Sequence, residues 1–192
     1  VINEAIKHNV DIETSSSFDI DLILALFEKG KITKDIKIIH NGYKTDDYLK
    51  KIINLQSIGF KNSIIVLDST NEYFRLSNIK TNHSIKIGMR MAINEEAQSA
   101  YYTSRLGISH SKIIDFFKEN IRDNEKMELK MLHFFVDSGI KDTPYYWGEF
   151  QKALKLYVEL KKESKNLDSF NLGGGFPIRN HLGFEYNYEY MI

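Results

Sequence analysis

The chain has 192 residues, with 26 basic and 26 acidic side chains, so its formal net charge at neutral pH is zero. That balance excludes a strong field drawing it to nucleic acid or to an anionic membrane surface, and no apolar run approaches the roughly 18 residues of a membrane span. An apolar content of 42% supplies one sizeable core, while the absence of cysteine removes disulfides, thiolate metal sites and a thiol nucleophile together and fits the cytoplasm.

Along the chain, short apolar runs rich in β-branched residues alternate with longer stretches of helical period. Strands are expected over 10–13, 36–40, 63–68, 84–91, 129–136 and 167–172. Most of these runs are continuous rather than alternating, as in strands covered on both faces. Helices are expected over 18–29, with Ser17 as cap and Leu22, Ile23, Leu26 and Phe27 on one face, and then over 46–58, 71–77, 111–120 and 147–162. Strand then helix, repeated, predicts a parallel sheet with right-handed crossovers in one domain. With no GxGxxG opening the first helix, the pattern favours a barrel over an open doubly wound sheet. A complete barrel has eight strands and about 250 residues, so the expected fold is α/β, a partial (β/α)8 TIM barrel of about six parallel βα units. The first and last barrel strands are expected outside the segment, since the chain opens at Val1 rather than methionine and shows no signal peptide.

Ligands of such barrels gather at the carboxyl ends of the strands, so the residues just after each run take priority. These are 13–17 ("ETSSS"), 41–44 ("NGYK"), Asp68, Arg90, 137–139 ("DSG") and the triplet Gly173, Gly174 and Gly175. Glycine amides, a serine hydroxyl and an arginine on one face suit a phosphate, which wants many donors and little bulk. The residues alone leave two readings of the triplet: a phosphate cradle, or a tight turn between strand and helix. It is neither a dinucleotide fingerprint nor a P-loop, and the histidines at 8, 40, 83, 110 and 181 form no metal-ligand spacing.

The ordered blocks "IIHNGYKTDDYLKKI" (38–52), "IGMRMAI" (87–93), "TSRLGIS" (103–109), "LKMLHFFVDSG" (129–139), "LYVELKK" (156–162) and "FNLGGGFP" (170–177) resemble the biosynthetic arginine decarboxylases. These belong to the alanine-racemase-like, fold-type III group of pyridoxal-phosphate enzymes. The resemblance runs from about residue 8 to the end, and "NGYK" before an acidic stretch points to the arginine branch. It implies that Gly173, Gly174 and Gly175, with Ser138, hold the phosphate of pyridoxal 5'-phosphate. It implies further that Arg90, on the fifth barrel strand, lies beneath the coenzyme ring, that Glu13 occupies the acidic position on the second strand, and that Phe170, Asn171, Leu172, Phe176 and Pro177 contact substrate and coenzyme. Lys44 and Ser16 match positions near the pocket without an assignable role. Against each stands a blander reading: Lys44 as a solvated loop residue, Arg90 paired inside the barrel, Glu13 as its partner.

One strand departs from the family pattern. Where His-x-His-x-Gly-Ser is usual, Phe135 takes the second histidine's place, His133 precedes it on the same face, and Asp137 replaces the glycine. A phenyl ring can stack on the coenzyme but cannot donate a proton, which leaves His133 as the catalytic candidate of this segment, or else as a satisfied core histidine. The lysine that forms a Schiff base with the coenzyme is expected upstream of Val1, and the family's carboxy-terminal β domain is absent. The resemblance thus implies a longer, homodimeric or higher oligomeric cytoplasmic enzyme that decarboxylates arginine to agmatine for polyamine (spermidine) biosynthesis, the segment alone being inactive. Magnesium enters by family association only. Other decarboxylases of the group, acting on diaminopimelate, ornithine or carboxynorspermidine, and a non-catalytic barrel binding a phosphorylated ligand, remain the alternatives.

Overall fold

A computed structural model describes residues 2–93, 106–136, 143–174, 187 and 189. The element order is α1 (Ile2–Ile6), β1 (Ile12–Thr14), α2 (Ser17–Glu28), β2 (Ile38–His40), α3 (Asp46–Ser57), β3 (Ser63–Leu67), α4 (Thr70–Ser77), β4 (Ile85–Ala92), β5 (Ile108–Ser109), α5 (His110–Phe116), a π-helical turn (Phe117–Ile121), β6 (Met127–His133), α6 (Thr143–Glu163) and β7 (Ser169–Asn171). The sheet runs β1-β2-β3-β4-β6-β7, every pairing is parallel, and the two-residue β5 attaches to β4 off that path. The sheet curls into part of a barrel, with the helices outside.

Each expected strand and helix between residues 10 and 172 is present, with shifted ends. The helix after β1 begins one residue early and is capped by Ser16 rather than Ser17. Here the Asp19 carboxylate accepts the backbone N–H groups of Ser15 and Ser16, at 2.7 and 2.9 Å, and so satisfies two donors at the helix entrance. The last helix starts at Thr143, four residues ahead of the expected Trp147. Pro144 caused that shortfall: it interrupts a periodic reading, yet it is well placed in a first helical turn, where its missing N–H costs nothing.

The two faces of the sheet differ sharply. Outward positions such as Ile38, Ile65, Leu67, Ile87, Met89, Leu132 and Phe134 join one large core with the helices, while Ile39, Ile64, Val66 and Met131 form a small separate cluster on the inner face. Alternation along each strand enforces this division. On β4 it sends Gly88 and Arg90 inward, and Gly88 is tightly hemmed, because an added Cβ would lie 3.2 Å from both Val66 and Met131 side chains. Gly107, at φ +110, is pressed against β4 so closely that a Cβ would fall 2.6 Å from the Ala92 nitrogen. That contact seats the "LGIS" segment beside the end of β4, where the Gly107 N–H donates to the Asp68 carbonyl oxygen at 2.7 Å.

Candidate active site

The inner-face residues at the carboxyl end of each main strand meet at one rim. Glu13 lies on β1, Asn41 just after β2, Asp68 just after β3, Arg90 on β4, His133 on β6 and Asn171 on β7. Register explains the meeting: Arg90 pairs with His133 and His133 with Asn171, so three polar side chains stand abreast on neighbouring strands. Hydrogen bonds then cross the mouth. Asn41 Nδ2 donates to Glu13 Oε1 at 3.1 Å and to His133 Nε2 at 3.0 Å, and Asn171 Nδ2 donates to Glu13 Oε2 at 3.1 Å. Glu13 thereby ties β1 to β2 and, across the opening, to β7.

Because Asn41 donates, His133 Nε2 accepts, and the imidazole proton is assigned by this network to Nδ1. That Nδ1 is buried and has no hydrogen-bond partner among the described residues. Burial above all, and then the charge of Arg90, pull the imidazole pKa down to about 4, with Glu13 and the nearby polar groups of Asn171 opposing, so the ring is neutral at physiological pH. A neutral, oriented imidazole with an unused N–H is a donor held in readiness for an acceptor oxygen.

Arg90 pairs with Asp68, whose Oδ1 lies 3.7 Å from Nη1, and not with Glu13 as its simplest structural reading had it. The guanidinium also sits over the Phe135 ring, 5.4 Å from the centroid. Phe135 in turn touches the glycine turn: at Gly173, with φ +71, an added Cβ would come within 2.8 Å of the Phe135 ring and of the Phe134 carbonyl oxygen. Only glycine fits there, both for its backbone angle and for its lack of a side chain. The Gly173 N–H is already taken by Asn171 Oδ1 at 2.8 Å, so it is not a free phosphate donor. Gly174 is different, with open space where its Cβ would stand. Among the described glycines of the triplet, Gly174 is therefore the one whose backbone a ligand can approach.

Of the residues expected at the site, Arg90, His133, Phe135, Glu13, Asn171, Gly173 and Gly174 come together. Phe170 points the other way: its ring stacks on Phe150 and Tyr157 of α6, at centroid distances of 5.9 and 5.3 Å. Leu172 is partly exposed beyond the end of β7. Ser138, Gly175, Phe176, Pro177 and Asp137 lie outside the described residues.

Lys44 is no solvated loop residue, since its side chain is 0% exposed. Its ammonium donates to the carbonyl oxygens of Gly42, at 2.5 Å, and Val66 and to Glu72 Oε2 at 3.3 Å, with Asp68 Oδ2 3.8 Å away. Glu72, on α4, was not singled out by sequence reasoning. Its carboxylate accepts the N–H groups of Lys44 and Asp68, at 2.8 and 2.9 Å, and fixes the two loops to each other. A glutamate in a helix reads from sequence as part of a solvated face; only the third dimension turns it inward.

A family model described as "Pyridoxal-dependent decarboxylase, pyridoxal binding domain" matches residues 1–189. The chain belongs to this family. Among curated proteins, the biosynthetic arginine decarboxylase of Prochlorococcus marinus (strain MIT 9215) is 29% identical over 177 residues, which cover 88% of this chain and 26% of that protein. The chain thus spans about a quarter of the length of the curated relatives it matches. Solved structures share its fold, two of them as follows. Diaminopimelate decarboxylase from Helicobacter pylori, complexed with L-lysine, has a TM-score of 0.77 at 18% identity, covering 99% of this chain and 48% of that one. The biosynthetic arginine decarboxylase from Campylobacter jejuni has a TM-score of 0.68 at 23% identity, covering 94% of this chain and 30% of that one.

The rim of this pyridoxal-dependent decarboxylase domain fits its coenzyme. An aromatic, multiply anionic ligand meets a guanidinium, a phenyl face, a buried imidazole N–H without a partner and an approachable glycine backbone. Magnesium finds no such support: among the described residues, no group of three or more His, Asp or Glu is placed to hold a metal ion. No helix among them is long and apolar enough to cross a membrane.

Proposed function

We propose that residues 1–192 form part of the coenzyme-binding barrel of a cytoplasmic, homodimeric or larger enzyme that converts L-arginine to agmatine and carbon dioxide in polyamine biosynthesis. The observation that carries the site is the contiguity of Arg90, Phe135 and the Gly173 turn, which brings a cation, an aromatic face and the glycine backbone to one rim. The arginine assignment is supported by the "HNGYK" block and by relatives named biosynthetic arginine decarboxylase at up to 29% identity. When bound, pyridoxal phosphate supplies the electron sink that lets carbon dioxide leave an amino acid.

The chain's own residues then have separable tasks. Arg90, Phe135 and His133 face the ring. Gly174, with Gly175 and Ser138, takes the phosphate. Asn41 fixes the tautomer of His133, so that its Nδ1 proton can be donated to an oxygen of the bound ligands, and Glu13 braces the mouth by holding both asparagines. Asn171 occupies the Gly173 amide and so fixes the shape of the turn.

The test is turnover by the full-length protein with pyridoxal phosphate, measuring carbon dioxide release from L-arginine, L-lysine, L-ornithine, diaminopimelate and carboxynorspermidine separately. Release from arginine with the highest kcat/KM is expected. Turnover of another of these amino acids in its place would move the protein to a neighbouring branch, and coenzyme binding without any turnover would leave a non-catalytic barrel.

A further inference from the structure

The "NGYK" block ends in a lysine that the proposed chemistry does not use, yet Lys44 is the most completely enclosed cation at the rim. Three acceptors surround its ammonium: the carbonyl oxygens of Gly42 and Val66 and the carboxylate of Glu72. Beyond them lies Asp68, whose situation is unusual. Both of its carboxylate oxygens are buried and neither has a hydrogen-bond partner among the described residues. Its ionised form is sustained instead by two flanking cations, Lys44 Nζ at 3.8 Å from Oδ2 and Arg90 Nη1 at 3.7 Å from Oδ1. Burial favours the protonated carboxyl, and the nearby Glu72 pushes in the same direction. Glu72 differs, because backbone N–H groups satisfy it.

A single file of charges results: Lys44, Asp68, Arg90, and then the Phe135 ring beside the Gly173 turn. The four charged groups, Lys44, Arg90, Asp68 and Glu72, sum to zero. Remove Lys44 and one positive charge stands against two buried negative ones; the ionised form of Asp68 loses one of its two supports, and the only ion pair that the described residues give Arg90 is weakened.

We propose that Lys44 is a positioning residue for the coenzyme site, holding the Arg90 guanidinium in place over Phe135 through the unsatisfied carboxylate of Asp68. The proposal rests on the reading of this rim as the pyridoxal-phosphate site.

The experiment measures binding of pyridoxal 5'-phosphate to the full-length protein by its visible absorbance, with a circular-dichroism melt of every variant as the control for folding. Lys44→Met keeps the bulk of the side chain and removes its charge. Asp68→Asn keeps the shape and removes the link, while leaving every carbonyl contact of Lys44 untouched. Each is expected to weaken coenzyme binding by roughly tenfold or more, the scale on which loss of a supporting shell loosens a site. The double variant is expected to bind no more weakly than the worse single, because both act through one chain of contacts. A merely structural latch formed by Lys44 with Gly42 and Val66 predicts otherwise: Asp68→Asn would be silent, or the two losses would add. Either result overturns the inference. Should Lys44→Met fail to fold, Asp68→Asn decides alone, wild-type affinity or outright unfolding counting against the proposal. A wild-type protein that develops no coenzyme absorbance would sink the reading of the site itself; normal wild-type binding with indifferent variants would sink only the role of Lys44.

Discussion

Two buried histidines, one on each face of the sheet, show how differently this fold treats its polar groups. His40 lies on the helix-covered face, fully buried, with Nδ1 2.7 Å from Thr14 Oγ1 and Nε2 2.6 Å from Ser63 Oγ. The file continues through Tyr48 at one end and Gln56 and His83 at the other. Every polar atom of the His40 ring is satisfied. His133 lies on the inner face and has one nitrogen bonded and one idle. Both rings are neutral, and burial is the leading cause in each case, with pKa values pulled down to about 3 and about 4. A closed set of hydrogen bonds holds two layers together, whereas an open one leaves a group free to meet a ligand.

Four experiments break or sharpen this contrast. The largest effect is expected on the outer face, where Leu67→Ala, at a fully buried position of β3, should lower stability by about 2–5 kcal/mol in urea melts. A loss under 1 kcal/mol would mean that the outer layer is not the core described. Next comes acid. Both histidines have folded pKa values below the ordinary 6.5, so protons bind the unfolded chain more tightly. Their contribution is complete above pH 6.5 and is lost as pH falls towards about 3 for His40 and about 4 for His133, at up to ~1.4 kcal/mol per pH unit for each ring. Melts at pH 7, 6 and 5 of His40→Asn and of His133→Asn should each show a shallower decline than the parent, and an unchanged slope would mean that the ring concerned is charged when folded. Gly173→Ala should cost about 1–3 kcal/mol, through both its left-handed backbone and its collision with Phe134 and Phe135, and should abolish coenzyme binding. Gly174→Ala is the gentlest in stability, within about 0.5 kcal/mol, yet it too should weaken coenzyme binding if a ligand approaches that backbone. Wild-type affinity in Gly174→Ala would place the phosphate elsewhere.

Much of the scaffold was legible from period and punctuation, because buried parallel strands write themselves as continuous runs such as "SIIVL" and the amphipathic helices between them show their stripes. Two short elements outside the repeating pattern were not legible: α1 and β5 are too short to show a period, and β5 exists only because Gly107 lets its segment lie against β4. At the rim, Glu13, Arg90, His133 and the glycines stand at strand ends, where topology alone directs attention. What sequence could not show was pairing. Nothing in "NGYK" says that its lysine is enclosed, nothing in "DSTNEYF" says that its glutamate turns inward to receive two amides, and nothing in "FNLGGG" says that the asparagine side chain will occupy the first glycine's N–H. These depend on distances between loops far apart in the chain. The side-chain direction of Phe170 was also hidden, since the strand's alternation sends it to α6 while Asn171 faces the mouth.

The sheet joins residues remote from one another: Ile12 lies beside Ile38, Ile85 beside Met127 and Met131 beside Ser169. No rung along the main path of the sheet can close until an entire helix has been synthesised behind it, so during translation each newly made strand of that path waits with its backbone groups unmatched. Loop closure must precede any gain from pairing, which makes assembly slow and leaves sticky intermediates for chaperones to shelter.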